Sequence, residues 1–378
     1  MPRNTVMVIL LYFFIIILNA VSLLSGKKNI LLSVFSFLFI VLFVIGKRFD
    51  GTTIMHDLES YERKYEFYED LLNPFEFSFR IINTIGNNFG LSFEGFYMIV
   101  TAVIISLLFY TIIKLRGNVH LFVVAFMLYF ISVTISQIRN QCAMVTLFAL
   151  LPWAISYDNF TLGLWGKIKI AFCLLLASSF HASYLVFLLP FLAANERKFV
   201  HLKALSIFLT LAFVALFFLK QVSFIQIMVM LFIADTEYLQ ERFGDYAEST
   251  TGFISLVPIT IYVLLLLGLY FWKKRIISSL GDKKMVDFSN YIFNVVLWSS
   301  SFLPLLLLNA TFYRYTRDIS LLGIICLGIG VSSQVKRKTT YKLFALMITI
   351  PIGWFIFDVI IKGYWDEYSK HFFDTLFL

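Results

Sequence analysis

The chain has 378 residues, of which 60% are hydrophobic and only 14% are charged. A soluble fold of this length needs more polar surface, so this composition and a mean hydropathy of +0.85 predict an all-α protein embedded in a lipid bilayer. The net charge of +8 does not indicate a nucleic-acid partner, because the basic residues form short clusters between apolar runs, where they orient membrane segments.

Apolar runs of membrane-spanning length follow one another along the chain. An α-helix needs about 20 predominantly apolar residues to cross a bilayer. The first run lacks a convincing signal-peptide cleavage site, so we interpret it as a span. The runs that each predict one span are 5–24, 30–46, 96–113, 119–135, 142–157, 200–219, 253–272, 288–308, 318–334 and 343–361.

Residues 168–194 can be interpreted in two ways, as one relaxed helix with His181 at mid-membrane or as two short passes that meet at 178–183. Two passes give about 12 spans in total and place most of the 31 Lys and Arg residues in loops on one side. Because Lys and Arg accumulate on the cytoplasmic side of a membrane, we prefer two passes, with both termini outside. The whole chain, 1–378, is then a single transmembrane domain.

Two of the predicted outer loops are long. Residues 46–95 combine charges, aromatic residues and an Asn73-Pro74 turn signal, and they are too polar to cross a bilayer. We interpret them as a folded extracytoplasmic loop. Residues 220–252 begin with a short apolar stretch and end in mixed charges, which is typical of an interfacial or re-entrant loop.

Arg139 is the first candidate site residue, because a charged residue near membrane depth is costly and therefore suggests a function. It stands between two apolar runs, with Gln137 and Gln141 beside it. An arginine whose head group reaches out to lipid phosphate is the structural alternative. We favour a functional side chain that faces a cavity or a partner.

His181 is the second candidate. It lies in Ser178-Ser-Phe-His-Ala-Ser183, where the two short passes meet, and a neutral imidazole can accept a proton near neutral pH. Flanking passes of about 12 residues, or roughly 18 Å, place it below the outer membrane surface. A histidine that hydrogen-bonds a backbone carbonyl in a broken helix explains the position equally well.

Arg314 and Arg317 form the third candidate site. They are one helical turn apart and therefore share a face at the outer end of a late span. Two guanidinium groups suit a diphosphate, which arginine binds through paired hydrogen bonds. An ion pair between Arg317 and Asp318 is the structural alternative.

The start of the first outer loop provides the fourth candidate. Arg48 lies at the lipid boundary, and Asp50 and Asp57 follow it; a carboxylate beside an arginine can activate or hold a sugar hydroxyl. Tyr61 begins a run of tyrosines at helical spacing, which predicts an aromatic strip that packs on sugar rings or in the core of the loop. We expect most of the later acidic residues of this loop to be ordinary solvated side chains.

Several chemical signatures are missing from the sequence. It contains no Asp-x-Asp pair, no phosphate-binding glycine loop, no Gly-x-Ser-x-Gly elbow and no His-Glu-x-x-His motif. The 3 cysteines have no metal-ligand spacing to histidine. We therefore expect neither a metal nor a cofactor.

Short motifs follow one another over residues 40–320. They are an Arg followed by Asp-x-x-x-Tyr (Arg48, Asp57, Tyr61), Gln-x-Arg-x-x-x-Ala (Gln137, Arg139, Ala143), Phe-His-x-Ser (Phe180, His181, Ser183) and a late Tyr-Arg (Tyr313, Arg314). Each is degenerate, so the specificity comes from the ordered set. The set resembles the EpsG-like branch of the Wzy-type polysaccharide polymerases. Asn140-Gln141 after Arg139 and the longer loop after Arg48 depart from the commoner pattern, which bears on the substrate rather than the class.

The resemblance implies a polytopic enzyme of the bacterial cytoplasmic (inner) membrane, similar in architecture to the GT-C glycosyltransferases. Such proteins polymerise oligosaccharide repeat units carried on undecaprenyl diphosphate, for O-antigen, capsule or exopolysaccharide, at the outer face of the membrane. They transfer the growing glycan onto the incoming unit. The implied partners are the lipid-linked oligosaccharide, the bilayer, a chain-length regulator and a flippase.

Roles in such a reaction follow from the charges of the candidates. Cations stabilise the departing diphosphate, and a base takes the proton of the acceptor hydroxyl. If arginines supply the positive charge, an inverting transfer needs no metal. The expected cations are Arg139 and Arg314, together with Arg48, and the expected bases are His181, Asp50 or Asp57.

Two other functions stay open at the level of the sequence. A flippase for lipid-linked oligosaccharides would also have many spans with arginines in the membrane, but it should lack large folded outer loops. A membrane O-acyltransferase would also use a buried histidine, but its acyl donor is cytosolic and its polar residues should open inward. The informative charges of this chain gather at the predicted outer face.

Overall fold

The structure, a computed structural model, describes residues 3–26, 29–45, 56–66, 76–131, 137–155, 163–194, 211, 215, 256–275, 283–303, 306, 313–329 and 348–357. Every regular element in these ranges is a helix, and no strand occurs among them. The all-α prediction is confirmed for this part of the chain. The second predicted outer loop, 220–252, lies outside the described residues.

The helices are separated by short breaks. Residues 348–357 are also helical. The bounds are α1 Arg3–Ser25, α2 Ile30–Ile45, α3 His56–Glu66, α4 Phe77–Asn88, α5 Phe93–Lys114, α6 Val119–Ala125 with a π-helical turn Phe126–Phe130, α7 Ile138–Ala154, α8 Leu164–Phe180 with a 3₁₀ segment Ala182–Phe187, α9 Leu188–Ala193, α10 Leu256–Arg275, α11 Lys283–Ser299 with a 3₁₀ turn Ser300–Phe302, and α12 Tyr313–Leu327.

Three of the described helices are long and apolar enough to cross a membrane. They are Met7–Ser25, Phe93–Lys114 and Leu256–Lys274, which coincide with three of the predicted spans. Shorter apolar helices occupy Ile30–Ile45, Val119–Phe130 and Ala182–Ala193. The protein is therefore membrane-embedded, whereas the number of about 12 spans and the GT-C-like architecture stay predictions.

Helix packing is organised around α7. This helix lies between α5 and α8, and α5 also packs against α2. Helices α10, α11 and α12 pack against one another, and α12 contacts α6 while α11 contacts α9. Hydrogen bonds to Asp318 of α12 join it to the first turn of α7 and to the 3₁₀ segment that follows α8.

The chain reverses direction at His181, within the stretch where the two-pass interpretation places the meeting point. His181 has φ −152° and ψ 108°, so it is extended and ends α8. The following 3₁₀ segment and α9 pack back against α8. α8 has 17 residues, about 25 Å, so the first arm is longer than the expected 12 residues or so.

The part of the first outer loop that the structure describes is folded into α3 and α4. The Tyr65 hydroxyl donates a hydrogen bond to the Leu91 carbonyl over 3.0 Å, and Asn87 Nδ2 donates to the Tyr65 carbonyl over 3.0 Å. A Cβ atom on Gly86 would lie 2.7 Å from the Tyr65 hydroxyl and 2.8 Å from Cδ2 of Phe96. Glycine is therefore required where α4 crosses α3 and α5.

A buried polar cluster joins α1, α2 and α6. Nδ1 of His120 lies 2.8 Å from Oδ1 of Asn19, whose Nδ2 donates to Ser36 Oγ over 2.8 Å. The backbone N–H of Asn29 donates to His120 Nε2 over 3.3 Å. Both ring nitrogens of His120 are thus used within the fold, which makes this histidine structural.

Candidate functional site

The carboxylate of Glu76 joins Arg139 to His181. Oε2 lies 2.9 Å from Nη1 of Arg139 in an ion pair, and Oε1 lies 3.0 Å from Nδ1 of His181. The backbone N–H of Ala182 also donates to Oε1, over 3.3 Å. The side chains of His181, Glu76 and Arg139 are 17%, 19% and 23% exposed, so each is largely enclosed but keeps some accessible surface.

Three element ends bring these side chains together. Glu76 is the extended residue before α4, Arg139 lies in the first turn of α7, and His181 ends α8. The Ser78 and Ser179 hydroxyls lie 2.6 Å apart and tie the start of α4 to the end of α8. A residue of the outer loop thereby reaches two residues of the helix bundle.

The charge of Glu76 determines which nitrogen of His181 carries the proton. Burial raises the pKa of the Glu76 carboxyl, but the hydrogen bond with His181 and the charge of Arg139 outweigh burial, so this pKa lies below its ordinary value of 4.5. An ionised carboxylate only accepts hydrogen bonds, so Nδ1 of a neutral His181 donates and Nε2 is left as the acceptor. Glu76 thus holds the imidazole with Nε2 as the proton-accepting nitrogen, the same relation that the carboxylate has to the histidine in a Ser-His-Asp triad.

The contact of Lys169 with Trp153 marks the end of the helix pair α7 and α8 that is opposite to the Glu76 cluster. Nζ of Lys169 lies 5.0 Å from the centroid of the Trp153 ring, where α7 ends and α8 begins. Along the helix axes, Arg139 is about 21 Å from Trp153, and His181 is about 18 Å from Lys169. The Glu76 cluster and this lysine therefore lie at opposite ends of the same helix pair.

A second, fully buried polar network lies beside the first cluster. Asp318 accepts hydrogen bonds from the Tyr184 hydroxyl over 2.7 Å and from Asn140 Nδ2 over 3.0 Å. Arg317 donates from Nη2 to Gln137 Oε1 over 2.9 Å, and its Nε lies 3.4 Å from Asp318 Oδ1. Arg317 and Asp318 are 0% and 1% exposed. The network ties α12 to the first turn of α7 and to the 3₁₀ segment that follows α8.

The two arginines of α12 have different surroundings. Arg317 is enclosed, with its guanidinium 5.2 Å from the centroid of the Tyr313 ring, so its geometry matches the structural alternative of an internal ion pair. Arg314, in the first turn of the same helix, is half-buried. Gln141, one turn into α7, is fully buried. The predicted roles of Arg314, Arg317 and Gln141 in binding a substrate stay predictions.

Three loop candidates cannot be placed in the site. Arg48 and Asp50 lie outside the described residues, and so does the side chain of Asp57. Tyr61 is half-buried, and its ring centroid is 5.9 Å from that of Phe79, so it takes part in the packing of α3 on α4. Within the described ranges, no three His, Cys, Asp or Glu side chains come together in a way that could hold a metal ion.

Sequence reasoning missed the residue that organises the cluster. Glu76 is one of the later acidic residues of the first outer loop, most of which we expected to be ordinary solvated side chains, and Glu76 is an exception because it pairs with Arg139. Asn140 and Tyr184 were also not identified as partners of Asp318. The available signal was position, because Glu76 immediately precedes an amphipathic helix and follows a proline turn.

Comparison with known proteins agrees with the ordered motifs. The family model described as the EpsG family matches residues 30–372, which include every residue of the Glu76 cluster and of the Asp318 network. No curated protein and no solved structure matches the sequence significantly. The EpsG family is associated with glycosyltransferase-like polymerase activity in polysaccharide biosynthesis. With nearly the whole sequence covered by this match, the chain belongs to the EpsG family of polysaccharide polymerase-like membrane proteins.

Proposed function

We propose that the chain polymerises oligosaccharide repeat units carried on undecaprenyl diphosphate, at the outer face of the bacterial cytoplasmic membrane. The growing glycan leaves its lipid carrier and is joined to the incoming repeat unit. Family membership supports a polymerase. The observation that carries the proposal is the contact of a single carboxylate, Glu76, with both a cation and a base.

Each member of the cluster has a defined part in the proposed step. Nε2 of His181 takes the proton from the acceptor sugar hydroxyl, whose oxygen attacks the anomeric carbon of the growing glycan. The bond from that carbon to the diphosphate oxygen breaks, and undecaprenyl diphosphate leaves with the electron pair. Arg139 stabilises the negative charge that develops on this leaving group. Glu76 holds both side chains and keeps the proton on Nδ1.

The proposed reaction is inverting and needs no metal ion. A single displacement at the anomeric carbon inverts its configuration, and the cluster offers one base for such a displacement. Arginine remains charged at every relevant pH and binds phosphate oxygens in a planar fork. Arg139 and Arg314 therefore provide the positive charge that a divalent cation supplies in other glycosyltransferases.

The position of Lys169 supports an outward-facing site. Lysines and arginines concentrate on the cytoplasmic side of membrane proteins. Lys169 and the Glu76 cluster lie at opposite ends of α7 and α8, so a cytoplasmic position of Lys169 would support a cluster near the outer face. The lipid-linked repeat units are available on that face after a flippase has moved them.

A glycan ladder from complemented deletion strains tests the proposal. The strain without this gene is supplied with the wild-type chain, His181→Ala or Ser178→Ala at matched membrane levels. Ser178 is the control because it lies in the same segment and its hydroxyl bonds to the carbonyl of Leu175 within its own helix. We expect a ladder with wild type and Ser178→Ala, and a single lipid-linked repeat unit with His181→Ala.

Two other outcomes would contradict the proposal. If no repeat unit reaches the outer face in the deletion strain, the chain is a flippase. If the ladder persists and only its acetylation changes, the chain is an O-acyltransferase.

A further inference from the structure

The exposed side of α4 carries an apolar stripe outside the predicted spans. Phe77, Ile81 and Ile85 are 64%, 42% and 48% exposed, and their spacing of four residues places them on one face of the helix. The side of α4 that faces the protein is different, because Phe79, Asn83 and Gly86 are buried there. The apolar stripe is therefore not the face that holds α4 in the fold.

A polar stripe runs beside the apolar one. Arg80 and Thr84 are also four residues apart; Arg80 is exposed and Thr84 is half-buried. Helix α4 thus has three faces: one packs on the protein, one is apolar and exposed, and one is polar. Asn88, in the last turn, is an exposed polar residue on the same side of the helix as the apolar stripe and ends that stripe after Ile85. This division is typical of a helix that lies between a membrane and water.

The apolar stripe continues the exposed apolar face of α8. Phe172 and Leu175 of α8 are 53% and 56% exposed, and Ser179 follows Leu175 one turn later on the same face. Ser179 contacts Ser78 of α4 over 2.6 Å. Helix α4 therefore begins where the exposed face of α8 ends, and in a membrane-embedded chain that face of α8 contacts lipid.

We propose that α4 lies in the membrane interface, with Phe77, Ile81 and Ile85 in contact with the acyl chains of the bilayer. The helix has 12 residues, too few to span the membrane, and an interfacial helix buries its apolar face about 5–10 Å into the boundary of head groups and acyl chains. Arg80 faces the lipid phosphates and water. Because Glu76 directly precedes α4, this placement fixes the height of Glu76 at the level of the head groups.

Spin-label accessibility tests the proposal without using any activity. Ile85→Cys and the neighbouring control Thr84→Cys are labelled in the full-length chain and reconstituted into nanodiscs of phosphatidylethanolamine and phosphatidylglycerol. The three native cysteines are buried, and a labelled wild-type sample measures their background. Collision rates with oxygen, which concentrates in lipid, and with a water-soluble nickel complex are then compared.

We expect the ratio of oxygen to nickel collisions to be several-fold higher at Ile85→Cys than at Thr84→Cys. The pair Ile81→Cys and Arg80→Cys repeats the comparison one turn earlier, so a poorly folded single variant does not decide the result. Equal access of nickel to both stripes would overturn the proposal, because the apolar stripe would then face water. Low access of both reagents at the apolar stripe, with dipolar broadening, would overturn it in favour of contact with a second copy of the chain.

Discussion

Replacing Glu76 with glutamine should disable the site while leaving its shape almost unchanged. The carboxylate forms an ion pair with Arg139 while it accepts hydrogen bonds from His181 and the Ala182 backbone. If the amide oxygen of glutamine faces His181 and Ala182, its NH₂ group faces the Arg139 guanidinium, and two donors meet. If the amide turns over, its NH₂ group donates to Nδ1 of His181, which moves the imidazole proton to Nε2 and removes the base.

The expected size of the effect follows from the interaction that is lost in either orientation. A hydrogen bond to a charged group contributes about 1.5–3 kcal/mol, and about 1.4 kcal/mol corresponds to a tenfold change in rate. We therefore expect Glu76→Gln to lower the rate of glycan transfer by about 10- to 100-fold. Loss of a general base costs about 10²- to 10⁴-fold, so His181→Ala should be at least as severe.

Single-turnover transfer by the purified chain in nanodiscs measures this effect. The substrate is the lipid-linked repeat unit extracted from a strain that lacks this gene. Glu66→Gln is the matched control, because Glu66 is exposed at the end of α3 in the same loop, and we expect it to react at the wild-type rate. The double variant Glu76→Gln with His181→Ala should be no slower than His181→Ala alone, because Glu76 acts largely through the imidazole.

Either of two results would refute this reasoning. A wild-type rate for Glu76→Gln would mean that the carboxylate does not orient the base. Rate losses that multiply in the double variant would mean that Glu76 and His181 act independently, which the hydrogen bond between them contradicts.

Three further predictions follow from the packing and the charges. Arg317→Ala breaks a buried ion pair at a cost of about 3–5 kcal/mol. It should therefore lower the yield of monodisperse protein in size-exclusion chromatography. Arg314→Ala should keep the wild-type yield and lower the rate of glycan transfer. Gly86→Ala should lower the thermal unfolding temperature, at a cost of about 1–3 kcal/mol from overpacking; Gly95→Ala, whose Cβ would meet Ser92 Oγ at an ordinary 3.5 Å, should not. The pKa of Glu76 is lower in the folded chain than its unfolded value of 4.5, so the ionised carboxylate stabilises the fold above pH 4.5, and this contribution is lost as the pH falls through the pKa of the folded state. The unfolding temperature should therefore fall on acidification below about pH 4.5. The fall should be less steep in Glu76→Gln.

The amino-acid sequence alone is sufficient to predict the membrane helices that are long and uniformly apolar. Hydropathy alone places α1, α5 and α10, because lipid selects apolar side chains over the whole length of a span. The break at His181 lies within the stretch where the two-pass interpretation places the meeting point, and that interpretation was preferred because it gathers Lys and Arg on one side of the membrane. Arg139 was identified because a lone charge between apolar runs is costly unless it has a partner.

The partners of these residues were not predictable, because contacts between distant segments leave no periodic pattern. Glu76 looks like any other acidic residue of a polar loop, and only the packing of α4 on α8 brings it to Arg139 and His181. The pairing of Arg317 with Asp318 was considered as an alternative. Their partners were not, because Gln137, which accepts a hydrogen bond from Arg317, comes from the residue before α7.

Metal-independent polymerisation is tested by mixing purified lipid-linked repeat units with the purified full-length chain in nanodiscs, in a buffer that contains EDTA. We expect lipid-linked dimers of the repeat unit and one released undecaprenyl diphosphate for each new linkage, and no product with His181→Ala. Absence of dimers with the wild-type chain, or dimers that form only after a divalent metal is restored, would contradict metal-independent polymerisation.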